Sequence, residues 1–217
     1  MNDPIILAFD TSAAHCAAAL LQGDRLLATR HEAMSKGQVE RLIPLVQEVL
    51  EEAGIILPEV SAIGVGIGPG NFTGIRISVS AARGLALALK IPAIGVSSLE
   101  ALAFAQPQPV LACIDARREH LYLQRFGADV ARGPELVGVG DLAQWACPDL
   151  HMIGGPSVEL ADRIGAQSIE TPLSPAPAIA RIAATRMGQS DLPRPAPLYL
   201  RAADAAPSRD APVVILP

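Results

Sequence analysis

Apolar and polar positions along the chain follow two alternating periods. Residues 5–11 (IILAFDT) form a short apolar run with β-branched members, the pattern of a buried strand. Residues 16–21 follow after a tight turn, and Gln22-Gly23-Asp24 separates them from a third strand at 25–32. The period then changes. Val39, Leu42, Ile43, Val46, Val49, Leu50 and Ala53 recur at helical spacing, predicting a helix from Gln38 to Ala53 that Gly54 stops. Pro44 lies within that pattern and predicts a kink, or a start nearer Arg41 and Leu42. Leu45 widens the stripe beside Leu42 and Val49. Two readings stand for that edge: a broad core face, or a surface that meets a partner.

Residues 61–68 read as a fourth strand, which enters the loop Gly68-Pro69-Gly70-Asn71-Phe72-Thr73-Gly74. A second helix at 75–89, a strand at 91–96 and a third helix opened by the capping-box spacing Ser97-Ser98-Leu99-Glu100 complete the first half. Gln106-Pro107-Gln108-Pro109 marks a joint. Beyond it, strands at 110–115, 120–127 and 135–139 and helices at 141–147, 158–164 and 176–187 repeat the order in weaker form. Prolines recur from Asp191 onward, predicting an irregular tail with 198–201 as its one ordered stretch. Strand, strand, strand, helix, strand, helix, taken twice, is the plan of two ribonuclease H-like domains of the actin-like ATPase (ASKHA) superfamily. The division falls at 1–105 and 106–217.

Composition sharpens this picture. Half of the 217 residues are hydrophobic, yet 37 are alanine and only 3% are aromatic. The core must therefore come from Val, Ile and Leu, with elements packed close through small residues. The net charge of −5 disfavours a chain whose main task is gripping nucleic-acid phosphates; RNA contact would need a local basic patch. Three widely spaced cysteines form neither a disulfide framework nor a zinc site. No secretory leader pattern opens the sequence, and apolar runs are broken by charge, Gly or Pro, so the expectation is a cytoplasmic protein.

Two stretches carry candidate chemistry. Asp10-Thr11-Ser12, at the end of a strand, suits either phosphate or a metal's water, or ordinary turn capping. The glycines of the 68–74 loop suit an anion at a helix N-terminus, or a helix packed tightly under a strand. Neither the Walker A spacing nor GxGxxG is present. No GxSxG, HExxH or paired histidine occurs, and His15, His31, His120 and His151 are isolated in sequence, so peptidase and metal readings lack residues. On a helical wheel, Ile77, Ala81, Gly84 and Ala88 form an uncharged face of the second helix, opposite the sheet-facing side. Arg76, Arg83 and Lys90 form a basic strip. The small face accepts either the first helix of the same chain or a helix of a partner.

Asp10-Thr11-Ser12, the string from Gly68 through Arg76 to Ile77, Gly95-Val96-Ser97-Ser98-Leu99 and Ile114-Asp115-Ala116-Arg117 occur in that order. Together they resemble the TsaB (YeaZ) family over about residues 4–125, with Leu198-Tyr199-Leu200-Arg201 as a later echo. The resemblance implies a scaffold subunit of tRNA threonylcarbamoyladenosine synthesis that has no catalysis of its own. It implies a homodimer in isolation, with TsaD and the ATPase TsaE as partners and tRNA met only through the complex. No cofactor is expected on this chain alone; ATP or ADP would sit at the complex interface. By the same resemblance, Asp10, Thr11, Ser12, Gly68, Pro69, Gly70, Phe72, Thr73 and Gly74 mark the remnant of a nucleotide-side loop. The contact with a second copy or TsaD would involve Leu42, Leu45, Val49, Arg76, Ile77, Ala81, Arg83, Gly84 and Ala88. A glycoprotease-like peptidase and a small actin-like ATPase are the alternatives. Lys36-Gly37-Gln38-Val39 departs from the family, many members of which carry a histidine there.

Overall fold

The computed structural model describes residues 3–127, 129–172 and 174–201. Prolines 207, 212 and 217 of the tail lie outside those residues. Strands β1 (Ile5–Asp10), β2 (His15–Gln22) and β3 (Arg25–Ala33) form an antiparallel meander. After helix α1 (Gln38–Ala53), strand β4 (Ala62–Gly66) runs parallel to β1. After α2 (Phe72–Leu89), β5 (Ala93–Val96) runs parallel to β4. The sheet order is β3-β2-β1-β4-β5.

Helix α3 (Ser98–Ala103) leads into the second half. There β6 (Val110–Asp115), β7 (His120–Phe126) and β8 (Arg132–Gly138) form a second meander. Then come β9 (His151–Ile153), α4 (Ser157–Leu160), β10 (Gln167–Ile169) and α5 (Ala176–Arg186). The second sheet, β10-β9-β6-β7-β8, repeats the first when read from its other end. The duplicated ribonuclease H-like plan of the sequence is present. Two of its strands, β9 and β10, carried no periodic signal: three residues are too few for an alternation to declare itself. In place of the helix expected at 141–147, Val139–Trp145 forms 3₁₀ turns that bury Trp145.

The alternation of the first sheet serves two helical layers. Leu7, Phe9, Ala18, Leu20, Ile63 and Val65 face α1 and α2. Ile6, Ala8, Leu21 and Ala62 face α5, which meets them with Ile179, Ala180 and Ala183. This is where the alanine excess acts. A Cβ on Gly64 would lie 3.0 Å from the Ala183 Cβ, so the helix lies close on the sheet because both sides are small. Although α5 follows the second sheet in sequence, it packs against the first. Helix α3 joins the two halves, with Ala101 in the α5 layer and Leu99 and Ala103 against β6 and β9. Its Ser97–Glu100 capping box forms as the spacing predicts, each side chain 3.0 Å from the other residue's backbone N–H.

Pro44 neither delays nor ends α1, which is continuous from Gln38. Pro44 and Glu40 are both exposed, so water can reach the Glu40 carbonyl that proline leaves without its donor. The buried face of α1 is also rotated from the expected one. Leu42, Leu45 and Val49 are 1%, 0% and 0% exposed and lie in the chain's own core, so they offer no surface to a partner. The exposed apolar residues of α1 are Val39 and Ile43. Packed over β2 and β3, α1 turns Leu45 inward beside Leu42 and Val46 and leaves the stripe's other flank outward.

Among the described residues α2 is long and apolar enough to cross a membrane by length and composition, with a mean hydropathy of 1.2 over 18 residues. Its Ile75, Val79, Ala82 and Ala86 are instead buried against the first sheet.

Candidate functional site

The first turn and the glycine loop are built against each other. Asp10 ends β1 with its side chain buried, and three groups converge on its carboxylate. The Ser12 hydroxyl donates to Oδ2 at 2.9 Å and the Ser12 N–H to Oδ1 at 3.3 Å. The His15 Nε2 lies 2.6 Å from Oδ2. With a carboxylate as acceptor, Nε2 is the protonated ring nitrogen. Thr11 donates its hydroxyl to the Gly74 carbonyl at 2.7 Å, and the Asn71 N–H donates to the Ser12 carbonyl at 2.6 Å. From the next element, the Ser98 hydroxyl lies 3.1 Å from that of Ser12, and the Ser98 N–H donates to the Gly68 carbonyl.

The glycines make this contact possible. A Cβ on Gly70 would fall 2.2 Å from the Ser12 carbonyl oxygen, and one on Gly74 1.9 Å from that of Thr11. Gly66, just upstream, leaves room for the Asp10 carboxylate itself: its Cβ would lie 1.9 Å from Oδ1. Gly68 adopts φ +87°, in the left-handed region, at the entry to the loop. The close approach these glycines allow is that of the loop and the start of α2 on the turn after β1, rather than of a helix under a strand. Phe72 and Thr73 start α2 and are exposed, while Asn71 caps it through the Gly74 N–H at 3.0 Å. Gly66, Ser98 and the pairing of His15 with Asp10 were missed from sequence. The short β1–β2 connection, which sets residue 15 beside the end of β1, was the available signal.

Between the halves lies a cleft of about 390 Å³, bordered by Asp10, His15, Gly70, Asp115, Arg117 and Gly155 among others. On the first-half side the Ser12 hydroxyl and N–H are spent on Asp10, and the carboxylates of Asp10 and Asp115 border the space; on the other side the Thr171 and Ser174 hydroxyls accept backbone N–H groups. Arg117 is the cation there; its side chain is 85% exposed and lies 3.9 Å from Asp115. Among the described residues no three His, Cys, Asp or Glu side chains gather as a metal would need.

In the Ser12–Asp10–His15 group the carboxylate occupies the centre, so the imidazole does not touch the hydroxyl, the reverse of the order that activates a serine. Burial, followed by the nearby Glu32, pushes the Cys16 thiol up to about 11. Burial, followed by Asp115, pushes Cys113 up to about 12. Both are protonated thiols at neutral pH and inert as nucleophiles. Burial and the neighbouring His15, whose ring centroid is 5.2 Å away, hold His31 below the ordinary histidine range.

The outer surface of α2 is different in kind. Nothing lies within 4 Å of a Cβ placed on Gly84, so α1 does not fill the small-residue face. Gly84 and Ala88 are exposed, while Ile77 and Ala81 are half-buried against the first core. Leu87 is 82% exposed. Arg76 and Arg83 stand on the flank. Arg76 lies 3.7 Å over the Phe72 ring and donates to the Tyr199 hydroxyl at 2.8 Å, and Tyr199 stacks on Phe72.

Sheet order, duplication and the turn-on-loop contact define an α/β protein of two ribonuclease H-like domains in the actin-like superfamily. More distant solved structures share that fold: the (R)-2-hydroxyglutaryl-CoA dehydratase component A of Acidaminococcus fermentans (12% identical, TM-score 0.56, covering 86% of this chain and 100% of that one) is an example. The family model of TsaD, tRNA N6-adenosine threonylcarbamoyltransferase, matches residues 31–190. The YeaZ structure from Pseudomonas aeruginosa superposes with a TM-score of 0.75 at 30% identity, covering 91% of this chain and 100% of that one. The tRNA threonylcarbamoyladenosine biosynthesis protein TsaB of Haemophilus influenzae is 34% identical over 151 residues, 67% of this chain and 61% of that protein. Its Escherichia coli counterpart is 37% identical over 129 residues, 57% of this chain and 55% of that protein. The chain thus matches about three fifths of the length of these relatives. It belongs to the TsaB (YeaZ) family.

Proposed function

We propose that this chain is a non-catalytic supporting subunit in the synthesis of N6-threonylcarbamoyladenosine on tRNA, and that it holds a TsaD-type transferase in its working arrangement. One observation carries the reading: the polar groups of the first turn are bonded to one another across the glycine loop, while Val39, Ile43, Gly84, Leu87 and Ala88 stand exposed on the two helices beside it. A first turn whose polar groups are spent on one another, next to an apolar helical surface, suits a protein that acts by contact. On this reading the chain is a homodimer by itself and exchanges that contact for the TsaD-type subunit. A TsaE-type ATPase joins the assembly, and any ATP or ADP is held between subunits. The assembly works in the cytoplasm.

The test is reconstitution with the TsaD- and TsaE-type proteins of the same organism. The masses of the chain alone and in mixtures are measured, and threonylcarbamoyl transfer to tRNA is followed with and without it. Transfer that depends on the chain, with none from the chain alone, is the expected result. Transfer by the chain alone, or by its partners equally well without it, would overturn the proposal. Gly84→Leu, which fills the open face, is expected to weaken both self-association and partner binding.

A further inference from the structure

Arg76, Arg83 and Lys90 recur every seven residues and therefore share one flank of α2, about 21 Å from first to last. The segment 192–199, which follows α5, runs beside that flank. It is tied down by the Leu198 N–H, which donates to the Ile67 carbonyl at 2.8 Å, and by Tyr199 on Phe72. Between helix and segment lies a groove of about 550 Å³. Arg83, Lys90 and Arg194 line it together with Gly84, Leu87, Leu192 and Pro195, and among the described residues no carboxylate does.

This convergence needs a reason in a chain with 22 acidic and 17 basic residues. Several arginines elsewhere take acidic partners: Arg41 grips Glu32 and Glu48, Arg132 grips Glu135, and Arg186 grips Glu100, while Arg125 is held by the Val130 and Trp145 carbonyls. Arg83, Lys90 and Arg194 have no such partner among the described residues. The helix dipole accounts for a cation at Lys90, which caps the C-terminus of α2. It does not account for Arg83 in mid-helix or for Arg194 on a separate segment. At the other end of the strip, Phe72 and Tyr199 are stacked, crossed by the Arg76 guanidinium, and still 42% and 44% exposed.

We propose that this groove binds the phosphodiester backbone of an unpaired RNA segment, with the Phe72–Arg76–Tyr199 stack receiving a base. Unpaired cations alone would suit any polyanion. Exposed aromatic faces joined to a guanidinium select nucleic acid, because every base offers a π-face and RNA is read chiefly where its bases are unstacked. Gly84 and Leu87 border the groove as well as the exposed apolar face, so the RNA site adjoins the partner surface, with Arg83 and Arg194 on the RNA side. The inference rests on the proposed role in tRNA modification, and gives this subunit a direct RNA contact within the assembly.

The experiment measures fluorescence anisotropy of a labelled single-stranded RNA dodecamer, titrated with the chain alone and with its reconstituted assembly between 50 and 200 mM salt. The same titrations use the double variant Arg83→Gln, Arg194→Gln. Both side chains are exposed, and a thermal melt checks that the fold is kept. The variant is expected to bind about tenfold more weakly at the low-salt end, with a log–log salt slope shallower by about 1.4, for two lost phosphate contacts on a single strand. Its mass with the TsaD-type partner should not change. Equal affinity and slope for wild type and variant would overturn the inference, as would an absence of RNA binding by either chain or assembly. A variant that loses the partner but retains RNA would also overturn it, since the strip would then be a protein interface. If the wild-type chain binds RNA through the strip but never associates with the transferase, the inference stands and the scaffold role fails.

Discussion

His15 and Asp10 are joined across the turn between the first two strands, with Nε2 2.6 Å from Oδ2, in a position where the carboxylate is 1% exposed. This pair closes the first turn from within. Replacing Asp10 by Ala leaves the Ser12 N–H and the His15 N–H without their acceptor, while the Ser12 hydroxyl keeps that of Ser98 3.1 Å away. Stability is expected to fall by about 1–3 kcal/mol per buried group so orphaned. Urea denaturation at neutral pH measures it; a loss below about 0.5 kcal/mol, the size of an ordinary surface change, would show that the pair does not hold the turn.

The glycines separate packing from surface. Gly74→Ala places a methyl 1.9 Å from the Thr11 carbonyl oxygen, backbone against backbone, and is expected to lower stability by about 1–3 kcal/mol or prevent folding. Gly84→Ala meets nothing within 4 Å and should raise stability by about 0.5–1 kcal/mol through helix propensity. Thermal melts of the two variants should move in opposite directions.

Arg41 binds Glu32 and Glu48 through four hydrogen bonds of 2.6–2.8 Å, tying α1 to the edge strand β3. Those bonds hold both carboxyls below the ordinary glutamate value of 4.5. A depressed carboxyl contributes stability that is present above its unfolded pKa and lost as pH falls through the folded one. The native protein should therefore weaken below about pH 4.5, and Arg41→Gln should flatten that part of the stability–pH curve. Because the three groups are partly exposed, added salt should shrink the difference. Parallel acid limbs for wild type and variant would refute this.

Cys147 is partly exposed, while Cys16 and Cys113 are buried. Iodoacetamide at pH 8 is expected to label Cys147 alone in the native protein, and all three cysteines only in denaturant. Intact mass and peptide mapping read the result. Early labelling of Cys16 would contradict a thiol held near 11 by burial.

Periodicity made most of the chain readable. The meanders, α2 and the capped α3 are local features, set by side chains within a few residues of one another. The burial of α1 was legible only as a stripe: the same apolar residues admit two rotations, and packing over β2 and β3 decided that Leu45 is core and Ile43 surface. Strands β9 and β10 were invisible because three residues give no period. Partners that depend on contacts far apart in sequence were also beyond reach. Ser98 meets Ser12 across 86 residues, and Tyr199 meets Arg76 across 123.

The amino-acid sequence by itself determined the order of elements in the first half, the outline of the duplication and the family motifs, because hydrophobic period and turn chemistry are written locally. Only the tertiary structure decided what the small residues are for. Gly64 and Ala183 bring α5 onto the first sheet, Gly70 and Gly74 press a loop onto the first turn, and Gly84 faces open space. A missing side chain has the same letters in all three places. Its meaning depends on which atoms the rest of the fold brings to the space it leaves.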